Sequence, residues 1–342
     1  MRYLVTGHTG FKGAWLVQML AAAGHQVSGL ALDPAENSLF IRARVGELLE
    51  QDLRVDIREA GATAAAVRAA APEVVIHLAA QPLVRESYRD PRTTWETNVN
   101  GTYNVLDAVA GTPGIEALTV ITTDKVYRNT NRTAGYREDE PLGGLDPYSA
   151  SKAASDLLTQ SWIASSGCGV PTAIARAGNV VGGGDVCAER LMVDLIASFS
   201  AGEDVHLRYP LAVRPWQHVL DCLAGYLALT DALLLGEQCG EAFNFGPGSE
   251  ALVPVGTVAK AVAALWGGGV GVVVDARPEP AEAELLALDI TKAEKRLGWR
   301  GRLDFAHTMD WTVDWAKRAL AGDDPRGLCS EQIATFGALA LR

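Results

Sequence analysis

Tyr148 and Lys152 stand four residues apart in the run Asp146-Pro147-Tyr148-Ser149-Ala150-Ser151-Lys152, a spacing that puts both side chains on one helix face. Asp146 suits the cap of that helix and Pro147 its first turn. A free phenol titrates near pH ~10, too high for a base at neutral pH. A lysine ammonium a few ångströms away, helped by a second positive group, stabilises the phenolate and brings it into range. Thr123, Asp124 and Lys125 form a second cluster just past the apolar run Leu118–Ile121. Oxidation of an alcohol needs only the tyrosine and a hydroxyl. Elimination of water needs more, an acid for the departing hydroxyl and a base for the carbon-bound proton. A lysine base must be neutral when it acts, so burial and nearby cations have to lower its pKa. A salt-bridged turn at Asp124-Lys125, and a surface Tyr/Lys pair, are the alternatives that spacing leaves open.

The elements that must position these groups begin at the amino terminus. Leu4–Thr6 reads as a strand, Gly7-His8-Thr9-Gly10-Phe11-Lys12-Gly13 as a tight turn, and Phe11–Ala23 as a helix stopped by Gly24. Gly7 can turn without a side-chain clash, Gly10 lets a pyrophosphate approach the backbone, and Gly13 allows close helix–strand packing. Unpaired amides at the helix start then hold the phosphates. Asp33, after the strand His25–Ala31 and twenty residues beyond Gly13, is placed to accept both ribose hydroxyls of a dinucleotide, which favours NAD over NADP. Lys12 is the residue in the turn that can receive a 2′-phosphate instead.

Strand-like runs at Asp52–Val55, Val74–Leu78, Leu118–Ile121 and Pro171–Ala175 alternate with helical stretches such as Ala60–Ala71. This alternation specifies an α/β fold, a Rossmann-type doubly wound parallel sheet covered on both faces, with ligands beyond the carboxyl ends of the strands. The residues there are polar and specific: Asp56 and Ile57, then Leu78, Ala79, Ala80 and Gln81, then Thr122–Lys125, then Arg176–Asn179. Thr9, Phe11, Asp56, Ile57, Leu78, Ala79 and Ala80 are expected to join Gly7, Gly10, Lys12, Gly13 and Asp33 around the cofactor. After residue 179 the pattern loosens into a smaller mixed α/β lobe, with a helix near Ala188–Ala201, a strand at Phe243–Gly246, and helices at Thr291–Leu297 and Phe305–Leu320. Residues 1–178 are expected to form the NAD-binding domain, with segments near 214–246 returning to it, and residues 179–342 mainly the substrate-binding domain. Gly267-Gly268-Gly269 reads as a connector.

The 342 residues suffice for one large unit or two smaller ones, and an apolar fraction of 48% fits a folded enzyme. No apolar run is long enough to cross a bilayer, and the first strand begins at residue 2 without a charged leader, so a cytoplasmic location is expected. Cys168, Cys187, Cys222, Cys239 and Cys329 are scattered and lack metal-ligand spacing; reduced thiols are expected, and no metal. The net charge of −11 and the absence of a basic stripe argue against nucleic acid as a partner. Any anionic ligand must be held by a few local cations.

The glycine turn together with Tyr148 and Lys152 resembles the extended short-chain dehydrogenase/reductases that act on nucleotide sugars, over almost the whole chain. The runs Gly7–Gly13, His77–Arg85, Thr123–Tyr127, Leu142–Tyr148, Gly178–Asp185 and Arg214–Val219 narrow the resemblance to the 4,6-dehydratases of that family, with CDP-glucose the favoured substrate. The resemblance implies that Tyr148 removes the C4 hydroxyl proton as hydride passes to NAD, with a hydrogen bond from Thr123. Asp124 is then the acid at C6, and Lys125 the base at C5, where related dTDP-glucose enzymes use glutamate; hydride returns to C6. It further implies that Asn179, Arg190 and Arg214 hold the diphosphate, and that Gln81, Arg85 and His218 contact substrate, although His218, like His8 and His77, reads in itself as a loop or core residue. Val186 stands where the family pattern carries tryptophan, so the pocket beside the nucleotide is expected to be reshaped. A homodimer through Thr93–Ala110 and Tyr148–Ser165 is implied as well. A nucleotide-sugar 4-epimerase or ketoreductase, and a non-catalytic NAD-binding protein, remain the competing readings.

Overall fold

The chain forms twelve strands among its described residues: β1 (Arg2–Thr6), β2 (Gln26–Ala31), β3 (Gln51–Arg54), β4 (Val74–His77), β5 (Ala117–Ile121), β6 (Thr172–Ala177), β7 (Asn179–Val181), β8 (Val205–Leu207), β9 (Val213–His218), β10 (Ala242–Phe245), β11 (Leu252–Pro254) and β12 (Val272–Val274). The computed structural model describes residues 1–166, 169–207, 209–248, 251–274 and 286–339. Seven strands build one parallel sheet in the order β3-β2-β1-β4-β5-β6-β10. Every residue of β4, β5 and β6 is buried, as a parallel sheet covered on both faces requires. One face packs against helices Phe11–Ala22 and Val219–Leu234 through Trp15, Leu16, Leu220, Leu223 and Tyr226. The other packs against Ala60–Ala70, Thr102–Ala110 and Pro147–Ser166 through Val67, Val105, Leu106, Val109 and Trp162.

Packing, not capping, holds the first helix. Phe11–Ala22 has no side-chain cap and no acidic residue in its first turn, an omission that costs about 1 kcal/mol. Trp15, Leu16 and Val17 are fully buried, and each such side chain contributes roughly 1.5–3 kcal/mol. The helix therefore forms with its amino-terminal amides uncommitted to any side chain.

The remaining strands make two small sheets, β11-β9-β7 and β12-β8. With helices Leu191–Ser200, Val255–Trp266 and Phe305–Ala321 they enclose a separate core of Met192, Leu195, Phe199, Trp216, Val258, Val262, Met309 and Val313. Helix Val219–Leu234 and β10 go back to the main sheet, β10 pairing with β6. Gly267–Gly269 link helix Val255–Trp266 to β12, as a connector should. The stretch around Thr93–Ala110 is helical in three parts: Pro91–Trp95, a π-helical turn Glu96–Gly101, and Thr102–Ala110. Helices Val84–Arg89 and Pro325–Ala338 are additions to the sequence reading.

Candidate active site

The glycine turn lies where the strand order reverses, between β1 and β4, the place at which open parallel sheets bind ligands. Gly7 has φ +73°, and a Cβ there would sit 2.8 Å from the Ala79 amide nitrogen; one on Gly13 would sit 2.2 Å from the Gly7 carbonyl. Both positions thus require glycine. Thr6 Oγ1 accepts from the amides of Leu78 and Ala79, at 3.1 Å each, tying the two strand ends together. The helix that follows the turn starts without a side-chain cap, so the turn fits a dinucleotide pyrophosphate. Thr9 Oγ1 donates to the Leu32 carbonyl, 3.1 Å. Asp33 stands just past the end of β2, its side chain 90% exposed, with Arg54 Nε 3.9 Å away. Asp56 is engaged by Arg58 through its backbone and guanidinium, and Ile57 is buried in the core. Ala80 lies past the end of β4, half-buried beside Gln81.

Lys12 corrects the sequence reading. Its Nζ does not lie at the ribose end with Asp33. It points inward and donates to the Tyr226 hydroxyl at 3.1 Å, 5.4 Å from that ring's centre. Burial lowers its pKa, with Arg190 lowering it further and Cys222 and Asp124 opposing. A 2′-phosphate is out of its reach in this position.

Asp146 caps the helix Pro147–Ser166, accepting from the Ser149 amide at 2.9 Å, and Ser87 Oγ accepts from the Tyr148 amide at 3.1 Å. Burial pushes the Tyr148 phenol up to about 12; a hydrogen bond from Thr123 and the charge of Arg190 pull it down, while Asp124 and Asp146 raise it. Lys152 is buried and its pKa falls to about 8, chiefly through burial and then through repulsion from Lys12. Its Nζ donates to the Ile121 carbonyl at 2.8 Å. Without the second positive group that the sequence reading calls for, burial dominates and the phenol stays high.

Asp124 opens a 3-10 turn, Asp124–Val126, immediately after β5 and Thr123. It is 2% exposed and accepts from Thr123 Oγ1 at 2.9 Å. Gly178 is required beside it: a Cβ there would lie 3.1 Å from Asp124 Oδ2 and 2.8 Å from Pro215. Lys125 is half-buried, and its ammonium makes no hydrogen bond or ion pair among the described residues. The turn thus brings Thr123, Asp124 and Tyr148 into one electrostatic neighbourhood with Lys12 and Arg190.

Of the expected substrate contacts, Arg190 is partly buried and donates to Asp185 Oδ2 at 2.7 Å. Arg85 is half-exposed and pairs with Glu189 at 3.6 Å. Arg214 donates to the Val213 carbonyl, and Asn179 opens β7, in register with Trp216. Two expectations do not hold. The Gln81 amide is committed to its own loop, donating to Leu83 O at 3.1 Å and Thr94 Oγ1 at 2.8 Å and accepting from Leu83 N at 2.6 Å. His218 is fully buried and caps helix Val219–Leu234, accepting from the Leu220 amide. His8 is likewise a core residue, with Nε2 2.9 Å from Asp52 Oδ1, and His77 lies between Thr6 and Thr102. Cys187, Cys222, Cys239 and Cys329 are free thiols; Cys168 lies outside the described residues, and Val186 is half-buried.

Sequence reasoning missed Asn98, which sits in the π-helical turn and bridges the Gln81 backbone to Ser151 Oγ on the helix of Tyr148. It also missed Tyr226, the partner of Lys12. No spacing signal marks either one, because the contacts span long stretches of chain.

A phosphate-binding glycine turn at a strand-order reversal, with a Tyr-x-x-x-Lys helix alongside, defines a nicotinamide-dependent enzyme of alcohol carbons. The chain belongs to the NAD dependent epimerase/dehydratase family, whose model matches residues 3–246, and NAD is its cofactor. It is 41% identical over 340 residues to the CDP-glucose 4,6-dehydratase of Salmonella typhimurium (strain LT2), covering 97% of this chain and 94% of that protein. The dTDP-glucose 4,6-dehydratase of Streptomyces venezuelae, solved with NAD and TYD bound, matches with a TM-score of 0.76 at 27% identity, over 95% of this chain and 100% of the other. The UDP-glucose 4-epimerase of Thermus thermophilus, solved in complex with NAD, gives a TM-score of 0.78 at 28% identity, over 93% of this chain and 100% of that one.

Proposed function

We propose that this chain is an NAD-dependent hydro-lyase that converts a nucleotide-activated hexose, CDP-glucose in the first place, to its 4-keto-6-deoxy form. The observation that carries the reading is the buried Asp124 carboxyl, held by Thr123 within the electrostatic reach of Tyr148. An epimerase or ketoreductase has no use for an acid at C6, whereas dehydration depends on one.

When bound, NAD supplies the acceptor for the hydrogen of C4 and its later donor to C6. Tyr148 takes the C4 hydroxyl proton, with Thr123 hydrogen-bonding the same oxygen. The ketone so formed acidifies the C5 hydrogen, which Lys125 removes. Asp124 protonates the C6 oxygen, water leaves, and Lys125 returns its proton to C5 when C6 is reduced. Asn179, Arg190 and Arg214 hold the diphosphate, Arg190 exchanging Asp185 for phosphate oxygens. Arg85 can join them by leaving Glu189. The smaller lobe, built from residues after 179, carries the nucleotide, and residues 1–178 with the returning β10 segment carry NAD.

Trp95, Tyr103 and Leu157 are 41%, 50% and 53% exposed on the helices of residues 91–110 and 147–166. Large apolar groups standing out of neighbouring helices suit burial against a second copy of the chain, hence a homodimer. No helix among the described residues is long and apolar enough to cross a membrane, and the free thiols fit a reducing cytoplasm.

Side-by-side incubation with CDP-, dTDP-, UDP- and GDP-glucose tests the reading. The expected result is the alkali-induced ultraviolet absorbance of a 4-keto sugar, strongest with CDP-glucose. A product that keeps its C6 hydroxyl overturns dehydration.

A further inference from the structure

The helix Pro147–Ser166 carries a third polar group in line with Tyr148 and Lys152. Asp156 lies one turn beyond Lys152 and is fully buried. Its carboxylate accepts four hydrogen bonds: from Arg176 Nε and Nη2 at 2.8 Å each, from Gln160 Nε2 at 2.7 Å, and from Thr122 Oγ1 at 3.0 Å. Arg176, 1% exposed near the end of β6, gives Nη1 to the Tyr127 hydroxyl at 2.9 Å and to the Glu138 carbonyl at 3.0 Å. Tyr127 donates in turn to Asn244 Oδ1 at 2.6 Å.

Thr122 and Tyr127 bracket the segment Thr123-Asp124-Lys125-Val126. One buried ion pair therefore grips both ends of the turn that bears the elimination groups, and its carboxylate comes from the helix that bears the oxidation base. Removing two charges from water is costly, and apolar replacements of buried pairs are often no less stable. Such a pair is better explained by the geometry it specifies than by stability. We propose that Asp156 and Arg176 are positioning residues for the elimination of water, setting Asp124 and Lys125 against the sugar ring while Tyr148 stays fixed on its own helix. The proposal rests on the dehydratase reading above.

Thr122→Val removes one of the four bonds to Asp156 and leaves the ion pair intact. With CDP-glucose and NAD, the variant is expected to lose about tenfold or more in kcat, since small misplacements of reacting groups cost rate steeply. KM should stay within about twofold of the wild-type value, because mispositioning acts on a step after binding. The near-ultraviolet absorbance of reduced nicotinamide should build up during turnover, marking a block between oxidation and elimination. Thr122→Ser, which keeps the hydroxyl, should restore both rate and spectrum. Should Thr122→Val fold poorly, Tyr127→Phe at the other anchor carries the same expectation. Unchanged turnover in a folded variant, or a slowed variant without the nicotinamide signal, overturns the positioning role alone. A wild-type chain that forms no 4-keto-6-deoxy sugar from any of the four nucleotide sugars overturns the dehydratase reading, and this proposal with it.

Discussion

Lys152 donates from Nζ to the Ile121 carbonyl at 2.8 Å, so the helix face that presents Tyr148 is fastened to the end of the strand that runs into Thr123. The helix of Tyr148 and the turn of Thr123, Asp124 and Lys125 are thereby joined at one corner. The same bond directs the lysine at the backbone, and its pKa near 8 reflects burial beside Lys12.

Tyr148 should behave as a base only in the NAD-bound protein. Burial holds its phenol near 12 against the pull of Arg190, and the positive nicotinamide ring would add a further charge that favours the phenolate. Difference absorbance of tyrosinate, wild type against Tyr148→Phe, should show this group titrating lower with NAD than without it. An unshifted titration would assign the base to another group.

Asp124→Asn keeps the size of the side chain and its bond to Thr123 but cannot protonate C6. Turnover should fall by about two to four orders of magnitude, the usual worth of a general acid, while oxidation at C4 survives. Rapid-quench analysis should find a 4-keto sugar that retains its C6 oxygen. Full-rate formation of the 6-deoxy product would remove Asp124 from the mechanism.

His77 and His218 predict an acid limb of instability. Burial drives both imidazoles down to about 3, with Lys152 adding to the effect at His77. Unfolded histidine titrates near ~6.5, so below that value the unfolded chain binds more protons and folding stability falls as pH falls toward ~3. Each group contributes a slope of about 1.4 kcal/mol per pH unit in that window. His218→Asn preserves an acceptor for the Leu220 amide and cannot charge; urea unfolding across the window should show a shallower acid slope. An unaltered slope would mean that His218 does not titrate on unfolding.

Gly13→Ala should weaken NAD binding and the fold together. Its Cβ would come within 2.2 Å of the Gly7 carbonyl, and overpacking of this kind costs about 1–3 kcal/mol. Calorimetric titration with NAD and thermal melting should both register the change; native affinity would show that the turn relaxes freely.

Local chemistry makes the frame of this site readable. The Gly7–Gly13 turn, the Asp146 cap and the position of Asp124 past β5 depend on neighbours within a few residues, and they stand where the sequence puts them. Lys12 and Gln81 depart from the sequence reading because side-chain direction depends on partners far away, Tyr226 for Lys12 and Thr94 for Gln81, whereas His218 is buried as its own residue reading expects. Arg176 stands among the polar residues the sequence marks at a strand end, but its pairing with Asp156 gives no signal for the same reason, the two being twenty residues apart and meeting only where helix Pro147–Ser166 packs on β6. The helix Pro325–Ala338 is open to reading, since Asp324 caps it and Pro325 begins it.

The bare start of helix Phe11–Ala22 gives the coenzyme a second office besides redox chemistry. On the proposed reading, phosphates arriving there would complete the hydrogen bonding that other helices obtain from Asp146, Asp304 or Asp324, and occupancy and thermal resistance should then rise together. Preparations stripped of NAD should melt earlier and yield first to proteolysis near residue 11, which makes the coenzyme a cofolding component as much as a reagent.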